Sequence, residues 1–258
     1  KVGTQEIVGQ FALALAVGGP VFFLTNLQLR AILASDALQE HRYADYWRLR
    51  LLAAPVAVAI IGLIAWGQGY RFESALVVLI MGVVKAIESF SDMCHGVNQQ
   101  QSRLDLVGKS LSLKGPVSLL VLAAAVYATG SIAFGVTVLG VSWGLLLVCY
   151  DLPNSRRTSQ GVPAAQKPAE SSTWIQTNLL TTGLPLGAAM SLMSLTVAVP
   201  NLLVGRLLGE APLGVFSAMT SLTWVGIPLV NAMGQTVMPK LGSCHANGKY
   251  ASMRRIVF

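Results

Sequence analysis

Hydrophobic positions in this chain neither alternate with polar ones at a strand's period of two nor mark a single helical stripe. They form long apolar runs separated by short polar gaps. At 1.5 Å per residue, about 20 helical residues cross a hydrocarbon core of about 30 Å. In lipid only a helix or a closed barrel satisfies its own backbone. The pattern predicts seven spans, at about 8–29, 49–66, 74–92, 111–129, 132–150, 179–203 and 213–233, with a tight turn at Gly130 between the fourth and fifth. Pro20, Pro185, Pro200 and Pro228 fall in or near these runs. Membrane helices tolerate them because neighbouring helices satisfy the freed carbonyls.

Composition agrees with the pattern. Hydrophobic residues make up 53% of the 258 and charged residues 11%, with a mean hydropathy of +0.61. A soluble domain carries about 25% charged residues, so a soluble globular fold is excluded. The expected class is all-α, a polytopic transmembrane bundle. The net charge of +7 does not point to nucleic acid, because the basic residues sit between the apolar runs instead of clustering on one face.

Those basic residues predict orientation. Arg30, Arg42, Arg48 and Arg50 follow the first run; Arg103, Lys109 and Lys114 follow the third. Arg156, Arg157 and Lys167 follow the fifth, and Lys240, Lys249, Arg254 and Arg255 follow the seventh. Only Lys1, Arg71 and Arg206 fall on the opposite side, and Lys85 lies inside a run. The positive-inside rule places the basic side in the cytoplasm and the start of the chain outside it. No signal peptide precedes the first run, so an additional upstream helix is expected. Cys94, Cys149 and Cys244 all fall near the cytoplasmic side, where thiols stay reduced. The dipeptides Cys94-His95 and Cys244-His245 lack the paired short spacings of a zinc site. Neither a metal nor a cofactor is expected.

The first and seventh runs resemble each other at an offset of 205 residues: Gly9 meets Gly214, Phe11 meets Phe216, Leu24 meets Leu229, Asn26 meets Asn231 and Arg50 meets Arg255. Parallel six-helix repeats are a common transporter design, with the substrate cavity between the halves. On this reading residues 1–150 form a first lobe lacking its first helix. Residues 151–173, rich in Pro, Ser, Gln and charge, form a cytoplasmic linker, and 174–258 begin a second lobe.

The third run carries the densest chemistry. Lys85, Glu88, Asp92, His95, Gln99 and Arg103 recur every three or four residues, which sets them along one helical stripe. Lys85 is about 16 Å from Ser74 along the axis, near the midplane. Lys85 and Glu88, three apart, can pair and so lower the cost of either charge in lipid. Three readings of the stripe stand open: a cavity wall, a charge pair locking two helices, or the solvated end of a helix. The small residues Gly183, Gly187, Ala188 and Ser191 predict close helix packing.

The segments KAIESFSDMCHGVNQQQSRLDLVGKSLSLKG, VGQFALALAVGGPVFFLTNLQLRAILASD and LPLGAAMSLMSLTVAVPNLLVGRLLGEAPLGVFSAMTSL together resemble the polysaccharide flippases of the multidrug/oligosaccharidyl-lipid/polysaccharide exporter superfamily. Asn201 stands where many members have arginine, and His95 where many have an aromatic residue. The resemblance implies a two-lobe, MATE-like transporter of twelve to fourteen helices, of which this chain would be a part. It implies passage of undecaprenyl-pyrophosphate-linked oligosaccharide across a bacterial cytoplasmic membrane, for O-antigen, capsule or exopolysaccharide. Polymerase and glycosyltransferases are the implied partners. Lys85, Arg30 and Asn26 are then the candidate substrate-binding residues, and Glu88 and Asp92 the candidates for proton or sodium coupling. Two alternatives stand beside it. A cation-coupled drug exporter would use interior carboxylates and needs no interior lysine. A membrane-embedded transferase of polysaccharide assembly would need a catalytic acid pair or a histidine motif on a sizeable loop, and no loop supplies one. The expectation is a transporter and not an enzyme.

Overall fold

The computed structural model describes residues 4–36, 43–160 and 172–223, with a few isolated positions beyond. Every regular element among them is helical: α1 (Gln5–Thr25), α2 (Leu29–Ser35), α3 (Tyr43–Gly67), α4 (Phe72–Gln100), α5 (Leu104–Thr129), α6 (Ile132–Leu146), α7 (Leu152–Gln160), α8 (Ser172–Leu208) and α9 (Glu210–Thr223). Six described helical stretches are long and apolar enough to cross a membrane: Gln5–Thr25, Tyr43–Gly67, Phe72–Gln100, Leu104–Thr129, Ile132–Ser159 and Thr177–Leu208. The seventh expected span starts as α9, and its remainder lies outside the described residues. The chain is a polytopic helical bundle.

Side-chain size is sorted as a lipid solvent demands. Leu52, Leu63, Trp66, Leu119, Leu120 and Leu145 are exposed on the outside. Small and branched residues of α1, α3, α4 and α6, among them Ala14, Val17, Ala57, Ile61, Val78 and Val136, fill the centre. Lipid tails offer large side chains what a core would, so close packing selects small residues for the interfaces. Between α5 and α6, Gly130 at φ +66° makes the tight turn and Ser131 caps α6 through the amide of Phe134.

The first apolar run is not one helix. α1 ends at Thr25, Leu27 and Gln28 adopt left-handed backbone at φ 51° and 49°, and α2 restarts at Leu29. Neither residue is glycine, so each left-handed position costs about 1–2 kcal/mol, and the neighbours must hold the break. Arg50 of α3 does so: its guanidinium donates to the Asn26 side chain and, at 3.3 Å, to the Asn26 carbonyl. A cation there also opposes the partial negative charge of the α1 C-terminus. Arg50 was expected in a polar gap, but α3 begins six residues before Leu49 and Arg50 is only 2% exposed.

The polar stretch expected to open a linker at 151 is helical through Gln160. α6 passes into α7 through one π-helical turn, Leu147–Asp151. That wider turn shifts the hydrogen-bond register just ahead of Pro153, whose missing amide would otherwise break the helix. The rest of the expected linker, 161–171, lies outside the described residues.

α8 runs antiparallel to α1. A side chain at Gly183 would come within 2.7 Å of the Leu27 carbonyl oxygen, and one at Gly187 equally close to that of Leu24. The small-residue stretch therefore does what was expected of it and braces the α1–α2 break. Gly183→Ala should destabilise by about 1–3 kcal/mol through overpacking, although alanine is otherwise the better helix former by about 1 kcal/mol. Thermal unfolding in detergent, set against Gly144→Ala where nothing lies within 4 Å, checks this. Equal midpoints would remove the contact from the account.

α9 lies alongside α1 in the same direction after Gly209, at φ +94°, turns the chain out of α8. Gly9 packs against the Glu210 backbone, and Gly214 against the Gln5 backbone and the Gly9 nitrogen. Further along, Ala12, Leu15 and Ala16 line one cleft with Ser217, Thr220 and Ser221. The cleft-lining residues differ pairwise by the same 205 positions as the sequence repeat, whereas the tightest contacts, Gly9 with Glu210 and Gly214 with Gln5, fall four positions to either side of it.

Candidate functional site

α4 carries the stripe through the bundle. Lys85 stands mid-helix, and its ammonium donates to Glu88 Oε2 at 2.7 Å. It also lies 6.0 Å from the Trp143 ring of α6, in cation–π range. The pair lies within one helix, so it does not lock two together. With side chains 28% and 35% exposed, both groups reach open space at the depth where a charge is costliest.

One turn on, Arg30 of α2 reaches Asp92 Oδ1 at 3.2 Å, joining a candidate substrate residue to a candidate coupling residue. The close approach rests on Gly96, where any side chain would meet Leu33 and the Arg30 backbone. Asn26 accepts from Arg50, and Asp92 is near enough to Arg50 to act on it electrostatically. Four of the five candidates therefore fall into two charge clusters about one turn apart. Asn26 belongs to the scaffold of the α1–α2 break.

Beyond Asp92 the stripe is buried, not solvated: His95, Asn98 and Gln99 are each about 2% exposed. Arg103 leaves the stripe. It sits exposed in the α4–α5 turn, bound to Asp105 at 3.0 Å and 3.1 Å.

His95 belongs to a network that sequence reading missed. Its Nε2 lies 3.1 Å from Ser110 Oγ on α5, and Ser110 donates to Asp151 Oδ1 at 2.7 Å. Lys114, one helical turn beyond Ser110, donates to Asp151 Oδ2 at 3.1 Å. Asp151 lies in the π turn, a feature frequent at functional sites. The signal existed: Lys114 falls inside an apolar run, where a buried cation requires an anion. Asp151 was read as the first residue of a linker, which hid the partner.

The opposite end holds a second polar group. Glu210 at the start of α9 accepts from Ser74 of α4 and, at 3.0 Å, from Gln10 of α1. Beside it opens a cavity of about 470 Å³ lined mainly by apolar residues of α1 and α8, with Gln68, Tyr70, Arg206 and Glu210 at its rim. Burial pushes the Tyr70 phenol above its ordinary value, with Arg206 opposing the shift.

No family model and no solved structure matches the chain. It is 21% identical over 257 residues to the capsular polysaccharide biosynthesis protein CapF of Staphylococcus aureus, an alignment that covers 99% of this chain and 63% of that protein. The chain is thus a multi-pass helical bundle similar along almost its whole length to a protein of polysaccharide biosynthesis, and it spans about 63% of the length of that relative.

Proposed function

We propose that this chain is the larger part of a transporter that carries a lipid-linked oligosaccharide across the bacterial cytoplasmic membrane for surface polysaccharide export. The observation that carries the reading is Lys85, a cation at mid-helix depth, partly open, with Arg30 one to two turns away. A sugar diphosphate cannot enter hydrocarbon uncompensated, and two cations at successive depths give its phosphates successive partners. Facing repeat-equivalent residues of α1 and α9 fit a two-lobe arrangement, with further helices completing the second lobe. The similarity to a capsule biosynthesis protein favours a glycan cargo. A drug exporter would present interior carboxylates to a cationic substrate and needs no interior lysine, whereas Lys85 stands at mid-helix, partly open.

Lys85→Ala is expected to lower surface polysaccharide by at least about tenfold, the equivalent of one charge-assisted hydrogen bond. The readout is complementation of a strain lacking the gene, with membrane levels of the protein compared in parallel. Normal polysaccharide from a normally inserted variant would remove Lys85 from the mechanism.

A further inference from the structure

The tautomer of His95 follows from its neighbours. Ser110 commits its hydroxyl proton to Asp151 Oδ1, so Ser110 Oγ faces Nε2 as an acceptor and Nε2 must carry the hydrogen. Neutral His95 then has a bare lone pair at Nδ1. That atom is buried without a hydrogen-bond partner in a side chain 3% exposed, and it points at Asp92 Oδ1, 4.0 Å away. Leaving a buried acceptor unsatisfied is unfavourable, and a proton is the smallest ligand that completes it.

We infer that His95 Nδ1 is a proton-binding site, and that an anion drawing Arg30 away from Asp92 loads it. Proton uptake forms one N–H bond at Nδ1, changes no other covalent bond and raises the cluster's charge by one. The imidazolium would lie between two carboxylates, Asp92 and Asp151, the latter 3.5 Å from Nε2. Three cations oppose it. Arg30 from α2 shares Asp92 Oδ1, Arg50 from α3 acts on Asp92, and Lys114 from α5 holds Asp151. Among the described residues, Tyr43 and Cys94 are further titratable neighbours, beside Ser155 of α7. With His95 neutral, three cations stand against two anions among the described residues named above. A diphosphate that engages Arg30 adds negative charge and turns Asp92 Oδ1 toward Nδ1, so anion and proton bind cooperatively. Asp92, 30% exposed, is the proton's way in.

The inference deepens the transport reading by naming the coupled ion, and it rests on that reading for its role. The site itself is tested without any glycan. Solid-state NMR of nitrogen-labelled histidine, on the full chain in lipid nanodiscs, distinguishes the two tautomers from the imidazolium. His95 is one of three histidines, and His41→Gln and His245→Gln assign its signal even if His95→Gln fails to insert. The expected result is an Nε2–H tautomer that gains its second proton at Nδ1 when the sample is acidified. At a fixed pH, Asp92→Asn should shrink the imidazolium signal by removing a facing carboxylate, and Arg30→Gln should enlarge it by removing a cation. Inorganic pyrophosphate should raise the protonated fraction in the wild type and leave Arg30→Gln unchanged. A signal that does not change on acidification, an Nδ1–H tautomer, or an imidazolium fraction insensitive to both substitutions would overturn the site. Failure of the Lys85 complementation test would overturn transport and leave these titrations standing.

Discussion

Asp151→Ala is expected to be the most damaging single substitution in the bundle, costing about 3–5 kcal/mol. Asp151 is 2% exposed and accepts from both Ser110 and Lys114. Truncation strands the Lys114 ammonium among apolar helices and deprives the Ser110 hydroxyl of its acceptor. At the size of this chain such a loss lowers the unfolding midpoint by roughly 10 °C, readable by thermal unfolding in detergent. Replacing both partners distinguishes a stranded charge from lost packing. Lys114→Met combined with Asp151→Leu should recover much of the stability, because no unpaired charge remains. If Asp151→Ala unfolds with the wild type, the network contributes nothing to the fold.

Gly9→Leu or Gly214→Leu is expected to part α1 from α9. The neighbours at both positions are backbone atoms of Gln5, Gly9 and Glu210, which cannot rotate out of the way as a side-chain tip would. A leucine must push the whole helix back, at a cost of about 1–3 kcal/mol or more. The loss should be local. Cysteines at Ala12 and Ser217, which line the same cleft, should be bridged by a short thiol-reactive cross-linker in the parent chain and less so in either variant. The α5–α6 turn at Gly130 should stay intact. Undiminished cross-linking in Gly214→Leu would mean that the seam does not depend on the glycines.

How far the sequence reached can be judged residue by residue. Gly130 announced a turn and makes one. The stretch around Gly183 and Gly187 announced close packing and braces α1. Of the repeat identities, only Gly9–Gly214 and Phe11–Phe216 fall among the described residues, where α1 and α9 lie side by side; Leu229, Asn231 and Arg255 lie outside them. The Lys85–Glu88 pair was legible because three-residue spacing on a helix brings the two groups together whatever surrounds them.

What remained hidden has a common cause. Arg50 looked like a loop charge and Asp151 like the start of a linker, because a charge beside an apolar run marks its end when only the chain is in view. Each is in fact buried, and each is held by a partner far away in sequence: Arg50 by Asn26, Asp151 by Lys114 and Ser110. The break at Leu27–Gln28 was equally invisible. No glycine marks it, and it persists because Arg50 caps one side and Gly183 admits the other.

The sequence by itself therefore determined the helical class, the order of the apolar spans though not their ends, and the Lys85–Glu88 contact that local periodicity dictates. Apolar length and helical geometry are properties of consecutive residues. Only the tertiary structure decided which interior charges meet, where the first helix breaks and which histidine nitrogen is left bare, because each depends on partners brought together from separate helices.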